Sequence, residues 1–176
     1  MRTLEEALKL EYDSANANVT VSGVPIILMS KSTFGVLHKE LISILGRGAE
    51  GVLYHAGYEG GRKGFKHIAR WWDFDVKDRE EIISAYAQML SRFGWMNLED
   101  VEVDDQKTEV VITATNCFET RKYSGHADKP VCHYIRGFLC GFAEAAFGME
   151  SLRCDEVSCQ GRGDEICKFV LKPMFW

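Results

Sequence analysis

Cys132, Glu156, Cys159 and Cys167 put three thiols and a carboxylate into the last third of this 176-residue chain, with two of the thiols flanking the turn Gln160-Gly-Arg-Gly-Asp-Glu165. Side chains of these types close around one Zn²⁺, sulfur at about 2.3 Å and carboxylate oxygen at about 2.0–2.2 Å. Seven residues separate Cys159 from Cys167. A tight turn centred on Gly163 sets the two across a hairpin, where facing Cβ atoms lie about 4.5–5.5 Å apart. Glu156 stands three residues before Cys159, and in a regular strand the two point to opposite faces. Both can be ligands only if the chain bends or bulges near Val157-Ser158. Cys132 is expected in the first turn of a helix opened by Pro130, where the helix dipole favours a thiolate. Cys154, on the strand face of Glu156, and His133, next to Cys132, are rival ligands. Four protein ligands leave no position for water, so the zinc would be structural and would staple the last hairpin to the start of that helix. The ligands outweigh the ion's charge, and Arg153, Arg162 and Lys168 are close enough in sequence to offset the excess.

The elements that must position this set follow from periodicity. Thr3 to about Leu10 is predicted as a short helix and Asn18 to Met29 as extended, punctuated by Pro25. Ser32 to about Leu45 places Phe34, Leu37, Leu41, Ile44 and Leu45 at helical spacing. Glu50 to Trp72 is a longer helix with Gly57, Gly61 and Gly64 on one face. Glycine costs about 1 kcal/mol at each such position, so the face implies close approach of another backbone or a ligand. Asp78 to Phe93 is amphipathic, with Asp78 as N-cap and Glu80 and Glu81 at the positive end of the dipole. Trp95 to Val103 and Thr108 to Thr115 form a hairpin around Asp104-Asp105-Gln106. Cys117 to Lys129 is loop-like, Pro130 to about Phe147 is a helix ended by Gly148, and Ser151 to Ser158 pairs with Ile166 to Leu171. Antiparallel hairpins with segregated helices mean α+β: an antiparallel β-sheet packed against several α-helices. Residues 1–176 are expected to form one domain, its metal-binding part spanning 130–171.

The totals narrow the function. A net charge of −5 argues against a nucleic-acid face, which needs basic surface to displace counterions. No apolar run reaches the roughly 18–20 residues of a membrane span. The N-terminus lacks the apolar core of a signal peptide, so the chain is expected to be cytoplasmic with reduced thiols. Six cysteines then favour metal or thiol roles over a disulfide framework with its roughly 15 connectivities. Cys117 and Cys140 carry no assigned role.

The run Gly137-Phe-Leu-Cys-Gly-Phe-Ala-Glu-Ala-Ala-Phe-Gly148, followed by Glu156-x-x-Cys159, Gly161-x-Gly-Asp164 and Cys167-Lys-Phe169, closely resembles the 4-vinyl reductase domain. The helix with Gly57, Gly61 and Gly64 is similar to that family's, and the likeness runs weakly over most of the chain. The resemblance implies an α+β fold with an antiparallel sheet against helices. It also implies a superfamily shared with TRAPP vesicle-tethering subunits and haem-NO-binding sensor domains, and a tendency to dimerise. In phenol-sensing transcription activators such a domain binds a small aromatic effector and holds zinc through three Cys and one Glu. By motif those ligands fall on Cys132, Glu156, Cys159 and Cys167, so the resemblance selects Glu156 over Cys154.

Phe65, Trp71, Phe138 and Phe142 are the candidates for lining a ligand pocket, while His55 and His67 are expected to be helix-surface residues. The reading is a binding module: a sensor-type domain with structural zinc and an apolar pocket for a small hydrophobic or aromatic ligand. It is expected to be a homodimer that passes its signal to a protein partner. Two alternatives stand beside it, a reductase acting on a vinyl tetrapyrrole-like substrate and a TRAPP-like interaction subunit. No flavin, nicotinamide or iron–sulfur signature supports redox chemistry.

Overall fold

Alternating patterns and turn residues decide most of the architecture. The computed structural model describes residues 9–71, 79–104, 106 and 108–174. Its elements are β1 (Leu10–Asp13), β2 (Asn18–Val21), β3 (Val24–Ile26), α1 (Lys31–Leu45), α2 (Arg47–Trp71), α3 (Arg79–Arg92), β4 (Asn97–Asp104), β5 (Glu109–Thr115), α4 (His133–Phe147), β6 (Leu152–Ser158) and β7 (Cys167–Pro173). Short 3-10 turns at Phe118–Lys122 and Gln160–Arg162 complete the order.

The fold is α+β, as expected from the pattern. β4, β5, β7 and β6 form, in that order, a four-stranded sheet in which every neighbouring pair is antiparallel. β5 alternates strictly, burying Val110, Ile112 and Ala114, which is the period of a sheet with one face in the core. That face meets Ile82, Tyr86 and Leu90 of α3 and Ile135, Leu139 and Phe142 of α4 in one hydrophobic core.

The glycine face of α2 has its reason in a second backbone. A Cβ at Gly57 would lie 3.0 Å from the amide of Phe138 and one at Gly61 would lie 2.8 Å from that of Phe142. In return, a Cβ at Gly137 would meet the Tyr58 amide at 2.9 Å and one at Gly141 the Tyr58 Cα at 3.1 Å. The two helices therefore touch main chain to main chain, which only residues without Cβ allow. Gly64 is different, because a Cβ there makes ordinary contact with the Phe138 ring at 3.6 Å.

Several boundaries differ from expectation. Of the helix predicted over Thr3 to Leu10, residues 3–8 lie outside the described residues and Leu10 begins β1. The extended stretch Asn18 to Met29 is a hairpin, turned at Ser22 and Gly23, both with positive φ. Two positive-φ residues make the turn whose twist suits a two-residue hairpin. The helix predicted from Pro130 begins at His133, so Cys132 is its N-cap and not part of its first turn. The proposed cap Asp78 and Asp105 of the β4–β5 turn lie outside the described residues.

Candidate metal centre and ligand cavity

β6 and β7 form the hairpin that carries three of the four candidate ligands. Their register slips between Glu156 and Ser158, the bulge that the Glu156–Cys159 spacing requires. Beyond it Cys159 leaves the strand and the 3-10 turn Gln160–Arg162 follows. The turn is held by its own polar groups. Asp164 accepts a hydrogen bond from the Cys159 amide at 2.7 Å and pairs with Arg162 at 2.7 Å. Gly163 closes the turn at φ 104°, a region that favours glycine. Gly161 is also required, since a Cβ there would press on Val131 at 2.7 Å.

The hairpin and the foot of α4 converge. The sulfurs of Cys132, Cys159 and Cys167 and a carboxylate oxygen of Glu156 all lie within 4.8 Å of one another, and all four residues are buried. Donors around a tetrahedral ion at about 2.3 Å stand about 3.8 Å apart, so the cluster has the dimensions of a metal site. The Cys132 amide donates to Glu156 Oε2 at 2.9 Å, which orients the carboxylate. The other oxygen, Oε1, is buried and has no nitrogen or oxygen donor among the described residues, which leaves it to the neighbouring thiols or to a cation. The Gln160 amide donates to Cys167 Sγ at 3.3 Å. Burial, with the charge and hydrogen bond of Cys159, pushes the Glu156 carboxyl up to about 9. A cation entering here displaces protons.

The rivals lie elsewhere. Cys154 is buried and shares a strand face with Glu156, but its neighbours are Cys140 and Tyr54. His133 turns to Arg136, which donates to its Nδ1 at 2.8 Å, and stacks on His38. Burial and the Arg136 charge hold its imidazole down at about 3. Arg153 and Arg162, expected to balance the cluster, instead pair with Asp155 and Asp164. All six cysteines are free thiols and buried.

Two residues without an assigned role belong to this region. Cys117 is in hydrogen-bond reach of the thiols of Cys132 and Cys167. Glu119, fully buried, accepts from the amides of Tyr134 at 3.0 Å and Ile135 at 2.8 Å. It thereby caps α4, whose N-cap Cys132 makes no side-chain cap bond. His38 of α1 sits 3.4 Å from Glu119 and is hydrogen-bonded to the Tyr123 hydroxyl at 2.9 Å. No periodic signal marks Glu119, because the amides it serves are 15 and 16 residues away.

A cavity of about 40 Å³ opens on the flank of α4, between α3 and the sheet. It is lined by Ile83, Tyr86, Leu98, Val101, Val103, Val110, Ile112, Leu139, Phe142, Ala143, Phe147 and Leu171. A wider one of about 220 Å³ adjoins it, sharing Ile83, Val103, Val110 and Phe147 and adding Arg79, Asp104, Thr108, Glu109 and Met149. Of the expected pocket residues, Phe142 lines the smaller cavity. Phe65 packs edge-on against Phe142, and Phe138 packs on Tyr86 and Trp95. The Trp71 side chain lies outside what the structure describes. His55 and His67 are exposed on α2. Among the described residues no helix is long and apolar enough to cross a membrane.

Known families match the sequence, and solved structures share the fold. The sequence model of the 4-vinyl reductase domain matches residues 110–173, the part that holds the cluster. That described as activator of aromatic catabolism matches residues 4–105. The phenol regulator MopR of Acinetobacter guillouiae is 24% identical over 174 residues, covering 94% of this chain and 30% of MopR. Thus the chain spans less than a third of that relative. The phenol-responsive sensory domain of the transcription activator PoxR, solved with phenol, superposes with a TM-score of 0.81 at 21% identity. That match covers 96% of this chain and 87% of the other. Subunit 3 of a trafficking protein particle complex from Naegleria fowleri, covalently bound to palmitic acid, shares the fold at a TM-score of 0.58 and 12% identity, covering 83% and 96%.

Proposed function

This chain belongs to the activator of aromatic catabolism family and carries a 4-vinyl reductase domain, and from that premise we propose that it is a sensor-type binding module. Its ligand is a small hydrophobic or aromatic molecule taken up between α3, α4 and the sheet. The observation that carries this reading is the pair of adjoining cavities, about 40 and 220 Å³, the smaller lined almost wholly by apolar side chains, since a concave and mostly apolar space is the usual make-up of a small-molecule site. The PoxR domain solved with phenol and the naming of MopR as a phenol regulator support it.

In this reading Cys132, Glu156, Cys159 and Cys167 hold one Zn²⁺. Softness of the thiolates and closed coordination favour zinc. The ion supplies a fixed cross-link and no open coordination position. This chain's own residues do the remaining work. The Cys132 amide orients Glu156, the Gln160 amide supports Cys167, and Asp164 holds the Cys159 turn. α4 is thereby tied at its foot to the β6–β7 hairpin while its flank faces the cavity.

The protein acts in the cytoplasm as a homodimer and hands its signal to a protein partner. Support for an interaction surface comes from Ile27, Leu28, Val36, Leu37 and Ile44, apolar side chains left exposed along α1 and the segment before it.

Native mass spectrometry of the purified chain, with thermal melting in phenol, tests the proposal. We expect one zinc per chain, two chains per particle and a rise in Tm of about 5–10 °C at a hundredfold excess over Kd. A metal-free particle with no shift in any small aromatic would overturn it. A copurifying redox cofactor absorbing in the visible would favour the reductase alternative instead.

A further inference from the structure

Around a divalent ion, Cys132, Glu156, Cys159 and Cys167 would bring three thiolates and a carboxylate into a buried space, more negative charge than the ion cancels. Buried charge that nothing offsets is costly. Arg153 and Arg162 are turned to Asp155 and Asp164. Two backbone amides, those of Cys132 and Gln160, donate to Glu156 and Cys167. One further donor stands beside the sulfurs, the thiol of Cys117.

The fold around the hairpin delivers Cys117 to this place. It follows β5, whose Ala114 is the cross-strand partner of Cys167. It is the N-cap of the 3-10 turn Phe118–Lys122, yet its side chain makes no cap bond. The Gln160 side chain ties this corner to the ligand hairpin, accepting from the Asn116 amide at 2.8 Å and donating to the Glu165 carbonyl at 3.0 Å. A Cβ on Gly161 would lie 3.4 Å from Cys159 Sγ and 3.6 Å from the Thr120 Cα, so the two 3-10 turns press together. Cys117 is 1% exposed, and its thiol is in hydrogen-bond reach of those of Cys132 and Cys167. It is not among the four residues whose donor atoms all lie within 4.8 Å of one another. The thiol therefore meets two candidate ligand sulfurs from outside the set.

In the metal-free chain these contacts run from Cys132 and Cys167 to Cys117 and hold its thiol down at about 6. A metal ion removes the protons of its ligands. Two thiolates alongside then disfavour a third negative charge, and Cys117 is the one of the three with a proton to give. We propose that Cys117 is a positioning residue of the metal centre, whose S–H donates to the ligated sulfurs of Cys132 and Cys167 and takes up part of their charge. Outer partners of metal ligands are commonly worth about tenfold to a hundredfold in metal affinity. A thiol is a weak donor, so the lower end applies. This inference rests on the zinc reading and adds one residue to it.

Competition of the zinc-loaded chain with a chromophoric chelator, and the spectrum of its cobalt(II) form, test it in wild type, Cys117→Ser and Cys117→Ala. Serine keeps a donor, and alanine, of nearly the same size, has none. A hydrogen bond lowers the energy of a thiolate's lone pairs, so its loss moves sulfur-to-cobalt charge transfer to longer wavelength. Cys117→Ala is expected to weaken zinc about tenfold and to red-shift that band. Cys117→Ser is expected to stay within about threefold of wild type with the band in place. Cys117→Val, which fills the space without a donor, is expected to match Cys117→Ala. Wild-type affinity and spectrum in every variant would overturn the proposal. So would equal weakening in Cys117→Ser and Cys117→Ala with an unmoved band, which is a packing effect. Charge-transfer intensity lost in Cys117→Ser, as when one sulfur ligand is missing, would make Cys117 a ligand and overturn the positioning role. In these three cases wild type still binds metal and the zinc reading stands. Folded wild type that takes up neither zinc nor cobalt would remove both.

Discussion

At the foot of α4, polar atoms crowd together and nearly all are engaged. Three thiols and a carboxylate meet within 4.8 Å, and amides of Cys132 and Gln160 donate to Glu156 and Cys167. Glu119 takes the amides of Tyr134 and Ile135. Along the flank of the same helix the situation is reversed. Hydrocarbon from α3, α4, β4, β5 and β7 surrounds a small void. The first region is over-determined: removing one atom leaves buried partners without company. The second is held by apolar packing alone and leaves space unfilled. One helix thus joins a polar, closely engaged cluster at its foot to an apolar cavity along its flank.

The widest gap between the two is expected from Cys167→Ser. On the proposed zinc reading, losing a ligand forfeits metal binding that is coupled to folding, so zinc content should fall well below one per chain and Tm should drop by about 10 °C or more. Full zinc content and an unshifted melt in this variant, measured by elemental analysis and calorimetry, would break the contrast at its stronger end.

A smaller effect is expected from Phe142→Ala, which enlarges the cavity. Loss of a buried aromatic costs about 3–5 kcal/mol, read by urea denaturation, yet zinc should remain at one per chain. Metal loss here would mean that the two regions are not separable.

The finest distinction concerns pH. The Glu156 carboxyl, raised from 4.5 to about 9 in the folded metal-free chain, keeps its proton where the unfolded chain has lost it. The folded state then binds more protons. This contribution is fully present below pH 4.5 and is lost as pH climbs through about 9. Chelator-stripped protein should therefore melt lower at pH 8.5 than at pH 6, by a few degrees. Zinc-loaded protein should do the opposite, because metal competes with those protons. Parallel profiles for the two forms would place the Glu156 proton outside the metal's reach.

The cysteines of the set are legible along the chain because thiols are rare and Cys159 and Cys167 flank one turn, whereas type and spacing left Cys154 beside Glu156 and the family resemblance selected Glu156. Glu156, Cys159 and Cys167 occupy one hairpin, and their spacing demands the bulge that β6 contains. The glycine face of α2 is equally legible, since three such residues on one helix oppose helix propensity and need a close neighbour. Less of the N-terminal region is legible. β1 is four residues long with three exposed, which leaves almost no alternation to detect. The Ser22-Gly23 pair between valine-rich runs does carry a turn signal, but the β-rich pattern on both sides of it reads as one continuous extended stretch.

The chain by itself determined which atoms are able to bind a metal, where most hairpins and helices fall, and that one face of α2 must meet something without side chains in between. Those are consequences of residue type and short-range spacing. Only the tertiary structure decided that the something is α4, that Cys154 turns to Tyr54 while Glu156 turns to the thiols, and that α3, α4 and the sheet leave an apolar cavity between them. A cavity has no residues of its own. It is the space left when several helices and strands pack, and no local pattern records it.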